Sequence, residues 1–360
     1  MSITQISPKN SKVLFFSDLH LGLHQDSEIW HDVALNVSKW IKQVMEEKKL
    51  DTIFFAGDAF HDRHEIGVNT LHVAKKFFNN LEDYNIFIIP GNHDSFLSNT
   101  VEVNSVEILE SENVTVITKP TAFNVEDKTV LFCPWKSNLA DNTSLPKSVD
   151  MLVGHFEIQN FKMNSFKVCE HGDSSEDLLR RSKAVVTGHF HLREHRKYED
   201  NKYVLYLGSP YQMDFGDREQ IKGLSIIDFS SEHLDVEFIE NTISPCHFRL
   251  KISELINHKY KDLNSIISNN FISLYVDMHV DTLTLDMLTS KLRQHNPLQF
   301  KTEFNILDNA QSEIKEVKKL SIDVETAFYE FIEHVETKAT KKQVLDKCLE
   351  IYKMCQTIHE

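Results

Sequence analysis

The stretch Ile86-Phe-Ile-Ile-Pro-Gly-Asn-His-Asp94 places a short apolar run directly before a polar motif. A run of this length is typical of a buried strand. The same order occurs twice upstream: Val13-Leu-Phe-Phe-Ser17 precedes Asp18-Leu-His20, and Thr52-Ile-Phe-Phe-Ala56 precedes Gly57-Asp58. The sequence therefore predicts three strands, each ending in polar side chains.

Helical patterns separate these runs. One helical face is marked by Val33, Val37, Ile41 and Val44, and a second by Leu71, Ala74, Phe78 and Leu81. Alternation of strand and helix indicates β-α-β units and a mostly parallel sheet with helices on its faces. Later strands are expected at 130–133, 151–153, 184–187, 203–207 and 224–228. Their more hairpin-like run predicts a second sheet packed on the first.

A domain boundary is predicted near Ser244-Pro245, so that residues 1–243 form the first domain. The next segment, 244–310, reads as a small α+β module, with alternating strands at 272–280 and 298–306 around a helix near 285–294. The last segment, 311–360, is expected to be helical. Its two apolar stripes are Val324, Phe328, Phe331, Val335 and Val344, Cys348, Ile351, Cys355, with Ser321 as an N-cap of the first.

Composition narrows the class of protein. Of 360 residues, 41% are hydrophobic and 26% charged, which is typical of a globular chain and excludes a disordered one. The net charge of −15 does not suggest a nucleic-acid partner. If DNA is the substrate, local patches, metal ions or a partner must offset the acidic background.

Cysteine usage and hydropathy bear on the compartment. The five cysteines are an odd number and form no Cys-x-x-Cys, which argues against a disulfide framework or a zinc knuckle and favours a reducing cytoplasm. The first 12 residues are polar and predict no signal segment. There is no run of about 18 apolar residues, so no membrane span is expected.

Two further predicted strands also end in ligand-type residues, at Gly154-His155 and at Gly188-His189-Phe190-His191. Taken singly, each of the five motifs has an ordinary explanation as a turn or a cap. Sites in open α/β sheets lie beyond the carboxyl ends of the strands. Because all five motifs stand at such ends, the sequence predicts that they converge on one metal site.

The ligand types indicate which metals would bind. Imidazole nitrogens together with carboxylate and amide oxygens suit Mn, Fe, Zn or Co better than Mg or Ca. A carboxylate such as Asp58 can bridge two ions roughly 3.5–4 Å apart, which clamps a phosphoryl group and lowers the pKa of a bound water. A nearby imidazole such as His93 could protonate the leaving oxygen.

In this order, the motifs resemble those of the calcineurin-like metallophosphoesterases, over roughly residues 12–230. Within that superfamily they look like the SbcD-type DNA repair nucleases, which include the recombination endonuclease of large tailed phages. The features that carry this closer resemblance are the histidine three residues after Asp58 in Gly57-Asp-Ala-Phe-His61-Asp-Arg63, the pair Pro134-Trp135, and Leu207-Gly-Ser-Pro-Tyr211 followed by Phe215-Gly216.

The resemblance implies a fold and a role for each site residue. The fold would be an α/β/β/α four-layer sandwich with a small α+β capping domain and C-terminal helices. One ion would be held by Asp18, His20, Asp58 and His191, and the other by Asp58, Asn92, His155 and His189. His93 resembles the family's catalytic histidine, and His61 its phosphate-contacting histidine.

The resemblance also implies an activity and partners. It implies two Mn²⁺ ions, with Mg²⁺ or other divalent ions also compatible, exonuclease action on double-stranded DNA and endonuclease action on single-stranded DNA. It implies a homodimer and an SbcC-type coiled-coil ATPase, in a bacterial or phage-infected cytoplasm. This chain has no Gly-x-x-x-x-Gly-Lys-Ser/Thr loop, so ATP dependence would come from that partner. The C-terminal stripes would either grip the partner's coiled coil or pack on the core.

Two alternatives remain open on the sequence. A related enzyme that cleaves phosphoproteins, nucleotides or cyclic phosphodiesters would share all the metal ligands, although His61, the Gly-Ser-Pro turn and the C-terminal modules favour the nuclease. A catalytically silent binding scaffold of the same fold is the other, and the intact ligand set argues against it.

Overall fold

The structure is a computed structural model that describes residues 3–137, 145–304 and 340–356. The chain divides into two compact units, Met1–Phe304 and Asn305–Glu360. Among the described helices, none combines the length and apolar character needed to cross a membrane.

The strands and helices are numbered in chain order. The strands are β1 (Thr4–Ile6), β2 (Lys12–Phe16), β3 (Thr52–Phe55), β4 (Asn85–Ile88), β5 (Ser95–Leu97), β6 (Thr100–Asn104), β7 (Val114–Val116), β8 (Thr121–Val125), β9 (Lys128–Cys133), β10 (Met151–Gly154), β11 (Ala184–Thr187), β12 (Glu194–Lys197), β13 (Tyr203–Tyr206), β14 (Gly223–Asp228), β15 (Asp235–Glu240), β16 (His247–Lys251), β17 (Phe271–Val276) and β18 (Gln299–Phe304). The helices are α1 (Glu28–Lys48), α2 (Val68–Asn79), α3 (Ser175–Arg181), α4 (Ile252–Ile256), α5 (Leu263–Ile267), α6 (Thr282–Arg293) and α7 (Lys341–Gln356). Short 3-10 turns lie at Lys9–Ser11, Val106–Leu109 and Glu199–Asn201, and a single helical turn at Leu23–Asp26.

The first sheet has the strand order β15-β14-β2-β3-β4-β7. Strands β2, β3, β4 and β7 are parallel, and β14 runs antiparallel to β2. The second sheet has the order β1-β8-β9-β10-β11-β13-β12, in which β9, β10, β11 and β13 are parallel. The β-α-β reading of the N-terminal part is therefore confirmed.

The hairpin-like reading of the later strands is wrong for most of them. The predicted strands at 130–133, 151–153, 184–187 and 203–207 pair in parallel, because the segments that join them are long enough for crossovers. The predicted strand at 224–228 is β14, and it joins the first sheet rather than the second. Both differences arise because pairing between segments far apart in the sequence determines strand direction and sheet membership.

Side-chain alternation explains the layers. In β2, Leu14 and Phe16 point to a core shared with α1 and α2, whereas Val13 and Phe15 point to a core shared with the second sheet. On the far face of the second sheet, Leu152 packs in a third core with residues of α3. The layer order is the predicted α/β/β/α.

The small sheet β16-β17-β18 is parallel and has its own core, which includes Leu250, Leu274 and Leu292. The strand predicted for 272–280 ends at Val276, and Asp281 caps the following helix α6. The stripe at Val324–Val335, with its cap Ser321, lies outside the described residues. Helix α7 covers the second stripe, and the boundaries at 244 and 311 stay predictions.

Candidate metal centre

The predicted ligands follow strands of both sheets. Asp18 and His20 follow β2, Asp58 follows β3 and Asn92 follows β4, all in the first sheet. His155 follows β10, and His189 and His191 follow β11, in the second sheet. The carboxyl ends of the two sheets thus meet, and all seven predicted metal ligands contact at least one other of the set.

The first group contains Asp18, His20 and His191, whose potential ligand atoms all lie within 4.8 Å of one another. The Nε2 atoms of His20 and His191 are 3.0 Å apart. Asp18 is fully buried, and its Oδ1 accepts a hydrogen bond from the His189 amide, but its Oδ2 has no hydrogen-bond partner among the described residues. A buried carboxylate oxygen without a partner is costly, and a cation would satisfy it.

The second group contains Asp58, His155 and His189, again within 4.8 Å. Asn92 belongs to it, because its Oδ1 lies 3.0 Å from His155 Nε2 and 2.7 Å from His189 Nδ1. His155 Nδ1 lies 2.7 Å from the Ala56 carbonyl and donates to it. In the neutral ring, the lone pair of His155 is then on Nε2, which faces the group.

Asp58 lies between the two groups. Its Oδ2 is 3.2 Å from His155 Nε2 and 3.6 Å from His20 Nε2, while its Oδ1 accepts a hydrogen bond from the His93 amide. Burial by itself would raise the pKa of Asp58, but the adjacent His155 outweighs it and holds that pKa well below its usual range. One oxygen of Asp58 is therefore placed to be shared by two ions.

His20, His61 and His93 form a third group within the same limit. His93 Nδ1 donates to the His61 carbonyl at 2.6 Å, so its Nε2 is left for another partner. His61 Nδ1 is 3.4 Å from His20 Nδ1, and the His61 and His93 rings stack at 5.7 Å. The two predicted catalytic histidines thus lie side by side next to His20, a predicted metal ligand.

Burial favours the neutral form of three of these rings. It lowers the pKa of His20 well below its usual value, lowers the pKa of His61, and lowers the pKa of His189 to about 3. Burial also opposes charge on His155, but the Asp58 carboxylate outweighs it and raises the pKa of His155 to about 9. Neutral imidazole is the form that ligates a metal, and positive charge beside Asp58 is what a bound cation would supply.

The backbone is strained where it carries ligands. Asp18, His20, Asp58 and His189 have φ values of +56°, +49°, +60° and +89°, which non-glycine residues seldom adopt. Gly57 has φ +92°, and a Cβ there would lie 2.6 Å from His155 Nδ1. Such strain persists where the surrounding structure imposes it and is common at functional sites.

Asp94 is a site residue to which the sequence alone assigned no role. Its Oδ1 accepts from the amides of Ala59 and Phe60, and its Oδ2 accepts from those of Asp58 and Gly91. Asp94 therefore ties the loop after β3 to the loop after β4. The sequence feature that could have indicated this role is the position of Asp94 as the fourth residue of Gly-Asn-His-Asp. Apart from Gly91, however, its hydrogen-bond partners are more than 30 residues away in the sequence.

Comparison with known protein families agrees with this geometry. The family described as "Calcineurin-like phosphoesterase" matches residues 11–214. A search of the curated proteins found no match. Among solved structures, Zn²⁺-complexed Vps29 from Entamoeba histolytica shows 12% identity and a TM-score of 0.29, over 64% of this chain and 98% of that one.

Two further solved structures are similar to this chain at the same low level. The nuclease MPE of Pseudomonas putida shows 12% identity and a TM-score of 0.29, over 60% of this chain and 84% of that one. A hypothetical protein from Thermus thermophilus shows 13% identity and a TM-score of 0.34, over 64% of this chain and 99% of that one.

Proposed function

The chain belongs to the calcineurin-like phosphoesterase family, and from that premise we propose that it is a Mn²⁺-dependent DNA nuclease of the SbcD type. Membership makes it a metal-dependent phosphoester hydrolase with a dinuclear site. Asp18, His20, Asp58 and His191 would hold one ion, and Asp58, Asn92, His155 and His189 the other. When bound, the ions supply the positive charge that orients a phosphoryl group and activates a water.

The observation that carries the proposal is the position of His61. It lies three residues after Asp58, and its ring contacts His20, a ligand of the first group, and stacks on His93. Two half-buried imidazoles beside one ligand group can contact the non-bridging and leaving oxygens of a phosphodiester held there.

His93 is placed to act on the leaving oxygen. The bond from Nδ1 to the His61 carbonyl fixes its ring, and its amide is held by Asp58 Oδ1. Its Nε2 can hold the proton that the departing sugar oxygen needs. General acid catalysis of this kind is typically worth about 10²–10⁴-fold in rate.

The Gly208-Ser-Pro-Tyr211 turn supports the nuclease branch, because the structure gives it a role at the site. The Tyr211 hydroxyl donates to the Leu19 carbonyl between Asp18 and His20. The Ser209 amide donates to the His191 carbonyl at 3.2 Å. The turn thus buttresses loops from both sheets, and it is one of the features by which the sequence resembles the SbcD-type enzymes.

The test is degradation of linear double-stranded DNA in the presence of Mn²⁺. We expect the wild-type chain to degrade DNA, and His93→Ala to lose roughly 10²–10⁴-fold in rate while still binding Mn²⁺. His64→Ala is the matched control: His64 lies on the same loop as His61 but is exposed and packs against Phe96. It should cleave like the wild type.

The outcomes separate the activity from the substrate class. If the wild type leaves DNA intact but hydrolyses bis(p-nitrophenyl) phosphate, the two-metal hydrolase stands and the DNA substrate is wrong. A wild type that binds Mn²⁺ but cleaves neither compound would support the silent scaffold. Equal loss in His93→Ala and His64→Ala would remove His93 from its proposed role.

We further propose that residues 311–360 bind an SbcC-type coiled-coil ATPase and that the chain acts as a homodimer in the cytoplasm. Val344 and Cys348 are four residues apart on α7 and so share one helical face, which supports a helical contact. In gel filtration with the purified ATPase subunit, Val344→Asp should abolish co-elution and leave the melting temperature unchanged. Unchanged co-elution with a lower melting temperature would instead mean that the stripe packs within this chain.

A further inference from the structure

Glu157 lies two residues after the metal-ligand candidate His155 and belongs to neither ligand set. Its Oε1 is 3.6 Å from His189 Nε2, an electrostatic contact somewhat longer than a hydrogen bond. About a third of the Glu157 side chain is exposed, so it stands at the rim of the site. A carboxylate in this position can influence the orientation and the tautomer of the His189 ring.

The His189 ring has two nitrogens with different surroundings. Nδ1 faces the ligand group, 2.7 Å from Asn92 Oδ1, and Nε2 faces Glu157. A neutral imidazole carries one proton, and only the nitrogen without it can bind a metal. A carboxylate beside Nε2 favours the tautomer with the proton there, which leaves the lone pair on Nδ1.

Hydrogen bonds fix the backbone at Glu157 and at its two neighbours in the sequence. Its carbonyl accepts a hydrogen bond of 2.7 Å from the Asp173 amide. On either side, the Tyr206 hydroxyl donates to the Phe156 carbonyl and accepts from the Ile158 amide. These bonds fix the backbone of the loop after β10 from which the Glu157 side chain projects.

The Glu157 carboxylate is also held from the side. Lys136 Nζ lies 3.3 Å from Glu157 Oε2 and 4.3 Å from the centre of the Trp135 ring. The Trp135 ring in turn packs against His189 at 5.1 Å, and its Nε1 donates to the Ser98 carbonyl. His189, Glu157, Lys136 and Trp135 therefore form a closed ring of contacts.

We propose that Glu157 is a positioning residue that orients His189 with Nδ1 toward Asp58 and Asn92, and that Lys136 and Trp135 hold Glu157 in place. The inference rests on the proposed metal centre and not on DNA being the substrate. Carboxylates that accept from a metal-ligating histidine typically change metal affinity about 10–100-fold when they are removed. Glu157 would thus increase the affinity for the second ion, the one that His189 would hold, and leave the affinity for the first ion unchanged.

The experiment is calorimetric titration of the metal-free full-length chain with MnCl₂. We expect two binding events in the wild type, and in Glu157→Gln one unchanged event and one weakened about 10–100-fold. Glu157→Asp, which keeps the carboxylate, should recover part of the affinity. Lys136→Met should weaken the same event by no more than about 5-fold, because the ion pair it removes is largely exposed.

The matched control is Glu237→Gln. Glu237 is also a partly exposed glutamate paired with a lysine, Lys48, but it lies on β15 away from the site. Its Mn²⁺ isotherm should equal that of the wild type. Two equal events in Glu157→Gln and wild type would overturn the role of Glu157. A wild type that takes up no Mn²⁺ would overturn the metal centre itself, and neither result depends on cleavage of DNA.

Discussion

The parallel strands of the main sheets and those of the small sheet β16-β17-β18 share one architecture but end in different surroundings. After β2 and β3, buried carboxylates and imidazoles converge, and no described residue forms a hydrogen bond with Asp18 Oδ2. After β17, Asp277 is half-buried and accepts from both the amide and the hydroxyl of Ser253, where α4 begins. A functional site can therefore form at the carboxyl end of a parallel strand. The strand ends that carry the candidate site are distinguished by buried charged groups that lack hydrogen-bond partners in the described structure.

Backbone strain separates the two regions in the same way. In the main sheets, the left-handed residues include the ligand candidates Asp18, Asp58 and His189. In the small module, Asn269 and Asn296 are left-handed, but they lie in turns joined by a hydrogen bond between their backbones, and asparagine tolerates that conformation. Left-handed backbone at the candidate metal centre therefore accompanies the placement of the ligand side chains. In the small α+β module, left-handed backbone allows the chain to reverse direction in turns.

The strongest test of this contrast exchanges one aspartate in each region for asparagine. Asp58→Asn removes the carboxylate shared by both groups, so we expect both Mn²⁺ binding events to weaken and the rate of phosphodiester hydrolysis to fall on the order of 10³-fold or more. That exceeds the roughly 10–100-fold typical of outer-shell changes. Initial rates with a saturating aryl phosphodiester and Mn²⁺ titration would measure both effects.

Asp277→Asn is the counterpart and should leave Mn²⁺ binding and hydrolysis unchanged. It weakens a helix-capping contact, so the free energy of unfolding should fall by about 1 kcal/mol, as measured by urea denaturation. If Asp277→Asn reduced the hydrolysis rate as Asp58→Asn does, the small sheet would contribute to catalysis and the contrast would be wrong.

An effect smaller than that of Asp58→Asn is also expected from His247, the buried first residue of β16. Within the described part of the chain, its Nδ1 also has no hydrogen-bond partner, but its ring stacks on Phe271 at 4.6 Å and does not face the candidate metal ligands. Burial lowers its pKa to about 4, below the value of about 6.5 in an unfolded chain. Below pH 6.5 the unfolded state binds a proton that the folded state does not, so stability is lost as the pH falls toward 4.

By this linkage, His247 should cost the wild type about 2 kcal/mol between pH 7 and pH 5. His247→Phe keeps an aromatic ring in the stack and removes the titration. Urea denaturation at the two pH values should therefore show a smaller loss in the variant by that amount. Equal losses in both proteins would mean that the His247 ring is protonated as readily in the fold as outside it.

The local sequence pattern was sufficient to predict most of the strands and helices that position the candidate site. The buried face of α1 and the strands β2, β3 and β4 follow from short-range periodicity, and Asp18, His20, Asp58 and Asn92 come after those strands. In α2 the prediction is right for Ala74 and Phe78, but Leu71 is exposed and Leu81 lies beyond the end of the helix. Pattern was not enough for Gly223–Asp228, which reads as another strand of the later run but pairs antiparallel with β2, some 200 residues earlier in the chain. Such pairing depends on long-range packing, which no local signal encodes.

The sequence by itself determined which residues could ligate a metal, because apolar runs that end in Asp, Asn and His place those side chains at strand ends wherever the strands lie. Only the tertiary structure decided that ends from two different sheets meet at one point, with Asp58 between His20 of one group and His155 of the other. It also decided the contacts of Asp94 and Glu157, whose partners come from other loops. Ligand type is a property of single residues, whereas convergence is a property of how two sheets pack.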